Sequence, residues 1–98
     1  MKAIKITPEN CVSLVDVQNE LQALQEAVGG YIETIGLQDG AVMIVDEEGR
    51  FKDYPVNLIA SVTAGVEIVG IVLIVGTDED EFDDVPETYL ELLRCGEV

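Results

Sequence analysis

The stretch VEIVGIVLIVG, residues 66–76, is the most apolar part of the chain and sets the expected fold. Its longest apolar run, IVGIVLIV at 68–75, is far shorter than the roughly 20 residues that a membrane-spanning helix needs. A short apolar run of this kind predicts a buried strand. Gly70 within it predicts a bend, because glycine often marks a kink or bulge in a strand.

Apolar segments separated by turn residues predict further strands on both sides of this stretch. Asp39-Gly40 is a strong hairpin signal, because both turn positions favour a positive φ. AVMIV is apolar on both of its faces, which predicts a central strand covered twice. The other predicted strands are KAIKI (2–6), CVSLVDV (11–17, after a turn at Pro8 and Asn10), YIETIGL (31–37) and RFKDY (50–54, after the turn EEG).

A first helix is predicted after Asn19, which with Gln22 has the spacing of a capping box. Leu21, Leu24 and Val28 supply its apolar stripe. The pair Gly29-Gly30 is expected to end it, since glycine takes the left-handed C-terminal position without steric cost. PVNLIAS, residues 55–61, predicts a short helical or irregular segment.

A second main helix is predicted near the C-terminus. Asp84 has the position of its N-cap and Glu87 that of the N3 partner, with Pro86 in the first turn. Leu90 and Leu93 supply its apolar stripe. In addition, Gly96 is expected to stop this helix.

Together these elements predict an α+β fold. We expect one small domain with a mostly antiparallel sheet of five to six strands and two main helices on one face. Residues 1–76 form the core of this domain, and residues 77–98 add an acidic segment and the C-terminal helix.

The charge balance restricts the partners. Twenty acidic residues stand against five basic ones, a net charge of −15, and residues 46–98 alone hold fourteen against three. Such a field repels nucleic acids and anionic membranes, which are polyanions. We therefore expect no direct nucleic-acid or membrane binding, and instead partners that are basic protein surfaces or cations.

The residue types in the chain argue against catalysis and against metal binding. There is no histidine, which excludes Ser-His and Cys-His nucleophile pairs and Cys/His zinc sites. The run DEDEFDD fails the calcium-loop pattern, because Asp83 stands where glycine is required and Tyr89 where glutamate is required. No enzyme activity, cofactor or metal is expected.

The N-terminus lacks a signal peptide, so we expect a cytoplasmic protein in which Cys11 and Cys95 are reduced and packed.

Three blocks of sequence resemble a known family: LQEAVGGYIETIGL, then AVMIVDEEGRFKDYPVNLIA, then IVGIVLIVG. In their order and spacing the chain resembles the family catalogued as domain of unknown function 3846, over roughly residues 1–76. The resemblance implies a short protein of phages, plasmids and other mobile elements. It implies no activity and no particular fold, and the acidic stretch lies outside the matching blocks.

The first functional hypothesis is that the acidic stretch binds a basic protein surface, including that of a host defence enzyme whose DNA site it would occupy. Asp46, Glu47, Glu48 and Asp53 would extend this acidic surface if the two turns lie at the same end. The competing interpretation is a solvated, and even flexible, charge run. The candidate residues are Asp78, Glu79, Asp80, Glu81, Asp83 and Asp84.

The alternative hypothesis is a polar-aromatic pocket for an anionic, nucleotide-like ligand, formed by Arg50, Lys52, Tyr54 and Asn57. The competing interpretation is a hairpin turn whose bases pair with neighbouring acids while the aromatic rings pack. Dimerisation through a strand edge or the last helix stays open, since no residue decides it.

Overall fold

The computed structural model of the protein describes residues 1–96 and confirms an α+β domain with one antiparallel sheet. The elements follow in chain order: β1 (Lys2–Ile6), β2 (Val12–Asp16), α1 (Leu21–Val28), β3 (Ile32–Gly36), β4 (Ala41–Asp46), a first 3₁₀ helix (Gly49–Phe51), α2 (Leu58–Ala64), β5 (Val72–Asp78), β6 (Glu81–Asp83) and a C-terminal 3₁₀ helix (Glu87–Gly96).

The apolar stretch at residues 66–76 leads into and supplies most of the central strand, β5. The sheet order is β2-β1-β5-β4-β3, so β5 lies in the middle with β1 on one side and β4 on the other. The short strand β6 folds back on the C-terminal part of β5. All of these pairings are antiparallel. The predicted central position of AVMIV is likewise confirmed, because β4 lies between β5 and β3.

The core has two layers, one on each face of the sheet. Successive residues of β5, such as Leu73 and Ile74, face opposite sides of the sheet, and all residues from Val72 to Val75 are buried. On the Ile74 face lie α2 and the C-terminal 3₁₀ helix, while α1 covers the Leu73 face. The expectation that the helices share one face is therefore wrong. Since the central strands are apolar on both faces, each face needs its own cover.

The segment that leads into β5 is only partly a strand. β5 begins at Val72, so the predicted strand starts later than expected. The predicted bend is confirmed: Gly70 has a φ of 75°, and its N–H donates to the carbonyl of Pro55. A single bridge joins Val69 to Val56. This local pairing holds residues 66–71 against the segment before α2 instead of against the main sheet.

The prediction of a strand at RFKDY, residues 50–54, is wrong. Residues 49–51 form the first 3₁₀ helix, and Asp53 has a φ of 55°, a left-handed conformation that breaks an extended chain. The cause is a side-chain contact, because Lys52 reaches back six residues to Asp46, with 2.8 Å between Nζ and Oδ2. In contrast, a hairpin with positive φ at Asp39 (60°) and Gly40 (72°) is confirmed, but its loop has three residues, 38–40, instead of the two expected.

The predicted N-caps are also wrong, whereas the glycine C-cap of α1 is confirmed. The N-cap of α1 is Glu20, without a side-chain hydrogen bond, and Asn19 instead donates its amide to the carbonyl of Phe82 at 2.9 Å. Gly29 ends α1 with a φ of 97°. Asp84 accepts from the backbone N–H of Lys2 at 2.8 Å and so fastens the chain after β6 to β1. Both side chains serve a distant segment rather than their own helix.

Two smaller expectations have clear outcomes. Cys11 and Cys95 are free thiols, as expected, but both are exposed rather than packed. Within residues 1–96, no helix has the length and apolarity that a bilayer crossing demands.

Candidate functional site

The register of the sheet places the two acidic turns of the chain at opposite ends. Gly76 of β5 pairs with Ala41 on one side and with Asp83 on the other, so the β5–β6 turn lies near the start of β4. Asp46 ends β4 and therefore lies at the far end. The condition under which Asp46, Glu47, Glu48 and Asp53 would extend the acidic surface is not met.

The end that holds the β5–β6 turn collects most of the acidic candidates, and we call it the acidic end. Residues 77–83 are ordered there as a hairpin: Thr77 pairs with Phe82, and Asp78 pairs with Glu81 across a two-residue turn. The register also brings the end of β2 and the β3–β4 turn to this end. The acidic end comprises Asp16, Asp39, Asp78, Glu79, Asp80, Glu81, Asp83 and Asp84.

The base of this hairpin is fixed by packing and hydrogen bonds. The ring of Phe82 packs against the core on the α1 face, and its carbonyl accepts from Asn19. The N–H and hydroxyl of Thr77 both donate to the carbonyl of Gly40, at 2.9 and 3.1 Å. The hairpin that carries these carboxylates is therefore anchored at its base to α1, the β3–β4 turn and the core.

The carboxylates at the acidic end are exposed and largely without partners. Asp16 pairs with the amino group of Met1 at 3.0 Å. Asp83 and Asp84 accept only backbone N–H groups. Within residues 1–96, none of the four carboxylates from Asp78 to Glu81 takes part in an ion pair. Their charge is thus free to act on a partner.

The opposite end holds a closed polar cluster around Asp46, which we call the Asp46 cluster: Asp46, Lys52 and Tyr54. The Asp46 side chain is 1% exposed. Its Oδ2 accepts from Lys52 Nζ at 2.8 Å and from the Tyr54 hydroxyl at 3.2 Å, and its Oδ1 accepts from the N–H of Glu48 at 2.9 Å. Lys52 also donates to the carbonyl of Gly29 at 3.1 Å. Each carboxylate oxygen therefore has a partner.

The electrostatics of this cluster favour the ionised pair. Burial alone would raise the pKa of Asp46, but the hydrogen bond and charge of Lys52, with the Glu48 N–H and the Tyr54 hydroxyl, hold it below its ordinary value. The hydrogen bond to Asp46 in turn raises the pKa of Lys52. Asp46 and Lys52 are therefore both charged at neutral pH and hold each other in place.

Glycines enclose the Asp46 cluster and explain part of the sequence pattern. A Cβ at Gly30 would lie 2.6 Å from Lys52 Nζ, and one at Gly70 would lie 2.7 Å from Tyr54 Cδ2. Neither position tolerates a side chain unless the cluster moves. Asp46 was not predicted as the centre of this arrangement. The available signal was an aspartate directly after a buried strand, followed by a lysine and a tyrosine six and eight residues later.

Asn57 has a structural role in the core. It is 0% exposed, and its amide donates to the carbonyls of Ile6 at 3.0 Å and Gly70 at 2.8 Å. Its Oδ1 accepts from the N–H of Ala60 at 3.2 Å and so caps α2. One side chain thereby joins β1, the segment before β5 and α2.

The four residues of the predicted ligand pocket therefore lie in different surroundings. Arg50 lines an open cleft of about 350 Å³ on the Ile74 face, whose wall does not include the other three. Tyr54 lines a separate cleft of about 310 Å³ beside the end of α1. Lys52 is engaged with Asp46, and Asn57 is in the core. Among residues 1–96, no three acidic or cysteine side chains are grouped so that they could hold a metal ion.

Comparison with known proteins supports the fold and the family. The structure superposes on the crystal structure of small RNA methyltransferase HEN1 with a TM-score of 0.66 at 20% sequence identity. The alignment covers 98% of this chain but 16% of that one, so the likeness concerns the fold alone. No curated protein matches the chain.

The family match is longer than the three blocks suggested. It extends past residue 76 through the acidic hairpin and into the C-terminal 3₁₀ helix, and the family's description assigns no activity. Residues 1–94 match the family described as Domain of unknown function (DUF3846), and the chain therefore belongs to it.

Proposed function

We propose that the protein is a non-enzymatic, cytoplasmic binding protein of mobile-element origin whose acidic end binds a basic patch on a host protein. The observation that carries this proposal is the contrast between Asp46, whose carboxylate is bound by other groups of the protein, and the carboxylates of the acidic end. The carboxylates from Asp78 to Glu81 are exposed, stand on a fixed hairpin and make no ion pair within residues 1–96. A fixed array of like charges attracts an opposite surface and speeds its association.

The amount of charge favours a compact basic patch over a long DNA site as the partner surface. Duplex DNA carries about one charge per 1.7 Å, so eight carboxylates match the charge of only about 14 Å of duplex. The acidic end has eight carboxylates, one of them paired with the amino group of Met1. A short basic patch, of the kind that nucleic-acid enzymes use at one point of their binding site, matches this number better.

The nucleotide-like ligand at Arg50, Lys52, Tyr54 and Asn57 stays a prediction without a supporting contact. Three of these side chains are directed to other groups of the protein, as described above. The cleft beside Arg50 is bordered by carboxylates, which repel an anion.

The test compares capture of host proteins by three forms of the chain. One is the wild type, and one carries Asp78→Asn, Glu79→Asn, Asp80→Asn and Glu81→Gln. Asparagine suits position 79 because Glu79 has a φ of 57°. Asp83 and Asp84 are retained because they accept backbone N–H groups. The charge-matched control removes four exposed acids elsewhere through the substitutions Glu9→Gln, Glu26→Gln, Glu48→Gln and Asp53→Asn.

We expect a partner that the wild type and the control retain and that the hairpin variant loses. Retention should weaken steeply with salt, since the Debye length falls from about 10 Å at 0.1 M to about 3 Å at 1 M. If the partner binds DNA, competition by a short duplex tests whether the acidic end occupies that site. An identical set of proteins on all three forms would contradict the proposal.

A further inference from the structure

A second surface, at the end opposite the acidic end, has the features of a binding site. It is the open cleft of about 350 Å³ beside Arg50, which we call the β3 cleft. Its walls come from β3, the end of β4, the first 3₁₀ helix and the segment 66–69 that leads into β5. The volume lies in the range of about 300–1,000 Å³ that is usual for binding sites.

Apolar side chains in this cleft are more exposed than the fold requires. Phe51 is 87% exposed and Val66 is 51% exposed, and both line the cleft. Below them, Val45 and Ile68 are buried and give the cleft an apolar floor. Phe51 contributes little to the core in this position, whereas covering its ring would remove a large apolar area from water.

Charge at the rim determines the kind of partner. Glu33, Glu47 and Glu67 line the cleft, and none of them forms an ion pair with a residue of the described part of the chain. Arg50 is the cation of the wall, and its guanidinium donates to the carbonyl of Glu67 at 3.5 Å. Three carboxylates against one guanidinium leave −2, because Asp46 is neutralised by Lys52.

The cleft also borders an open strand edge. β3 is the last strand in the sheet order, so its outer edge is unpaired within residues 1–96. Glu33 and Ile35 project from β3 into the cleft wall. An extended segment that pairs with β3 would place alternate side chains beside these two residues.

We propose that the β3 cleft binds an extended segment of a partner protein in which Lys or Arg alternates with apolar side chains on one face. The aliphatic stem of such a residue covers Phe51 and Val66, and its charged head meets the glutamates at the rim. An acidic segment is repelled. The site is distinct from the acidic end, so this inference does not depend on the function proposed above.

The test is an NMR titration of the ¹⁵N-labelled full chain with three soluble peptides. The probe is acetyl-Thr-Arg-Thr-Val-Thr-Lys-amide, whose Arg, Val and Lys share one face of an extended strand. In the two comparison peptides, Gln or Glu replaces both basic residues. We expect saturable amide shifts at residues 33–35, 45–51 and 66–69 with the basic peptide, weaker binding of the Gln peptide and none of the Glu peptide.

Two pairs of matched variants locate the binding. Glu33→Gln with Glu67→Gln should weaken binding about fivefold, while Asp78→Asn with Glu81→Gln, which removes the same charge, should not change it. Phe51→Ser should also weaken it about fivefold, whereas Val62→Ser, at a position 77% exposed on α2, should not. The same spectra show that each variant is folded.

Three results would overturn the inference. They are the absence of saturable shifts, shifts concentrated at the acidic end, and equal weakening by the two charge-matched variants. The last would mean that only the overall negative charge of the protein attracts the peptide.

Discussion

The two ends of the sheet use the same kind of side chain in opposite ways. At the acidic end, Asp78 to Glu81 point into solvent on a short hairpin and meet no cation of the described chain. At the other end, Asp46 is enclosed by a lysine, a tyrosine and a backbone N–H, with glycines around them. The number of acids in a segment therefore says little about their use, which depends on what the fold brings to each carboxylate.

This difference has an energetic consequence. A charge that is buried without a partner is expensive, so a buried carboxylate is kept only where other groups satisfy it. Once the carboxylate is satisfied, removing one of its partners leaves an oxygen of the buried group with fewer hydrogen bonds and little water to replace them. An exposed carboxylate on a hairpin has water as its partner in every state. We therefore expect large effects on stability at the Asp46 end and small ones at the acidic end.

The largest effect is expected at Asn57, whose side chain makes three buried hydrogen bonds beside the Asp46 cluster. Asn57→Ala removes all three of these hydrogen bonds from backbone groups in the core, and should lower the free energy of unfolding by about 4 kcal/mol. Urea unfolding measures this change. The control is Asn19→Ala at the acidic end, where one exposed hydrogen bond to Phe82 is lost, with an expected cost of about 1 kcal/mol. Equal costs at the two positions would contradict the comparison.

Asp46 and Asp78 should contribute differently to the free energy of unfolding. Asp46→Asn should cost about 2 kcal/mol because it weakens the charge-assisted hydrogen bonds of a buried carboxylate, while Lys52, 35% exposed, keeps its contact with water. Asp78→Asn should cost less than about 0.5 kcal/mol. A double-mutant cycle with Lys52→Met isolates the pair. A coupling energy near zero would show that Lys52 and Asp46 are neighbours without mutual stabilisation.

The sheet could be predicted from the sequence because its signals are local. Each signal determines the backbone conformation of only the few residues around it. Examples are the apolar run at 68–75, the Asp39-Gly40 turn and the glycine at the end of α1. In contrast, each wrong expectation involves a side chain whose partner lies outside its own predicted helix or strand. Asn19 binds Phe82, Asp84 binds Lys2, and Lys52 binds Asp46 in place of a strand at 50–54. Local capping and strand signals cannot compete with contacts that only the folded chain makes.

The candidate site divides in the same way. The high density of acids predicted that Asp78 to Glu81 are exposed. The hairpin that supports them could not be predicted, because β6 is only three residues long. Lys52 and Tyr54 stood out as a base and an aromatic residue close together. The aspartate six and eight residues before them was the available signal, but the sequence does not show that its carboxylate is buried and accepts from both side chains.

The pH dependence of stability should distinguish the two ends further. The folded-state pKa of Asp46 is below the ordinary 3.8, so its ionised form adds stability above that pH, which is lost as the pH falls through the folded-state pKa. The pKa of Lys52 is raised above 10.5, so its contribution is complete below that pH and is lost as the pH rises through the folded-state value. The advantage of wild type over Asp46→Asn should therefore be constant from about pH 5 to 9 and shrink at lower pH.

Urea unfolding of wild type and Asp46→Asn across this range checks that dependence. Asp78→Asn serves as the control, since it removes an acid that has no partner in residues 1–96. An advantage over Asp46→Asn that is as large at about pH 2.5 as at neutrality would show that the ionised carboxylate is not what stabilises the cluster.

The smallest effect is expected from neutralising the acidic hairpin. The variant with Asp78→Asn, Glu79→Asn, Asp80→Asn and Glu81→Gln should change the free energy of unfolding by less than about 1 kcal/mol, in the stabilising direction, because four like charges repel one another. The gain should shrink in about 1 M NaCl, where the Debye length is near 3 Å. A loss of about 2 kcal/mol instead would mean that these carboxylates hold the hairpin together. They would then resemble Asp46, and lost partner binding by this variant would no longer identify them as the contact surface.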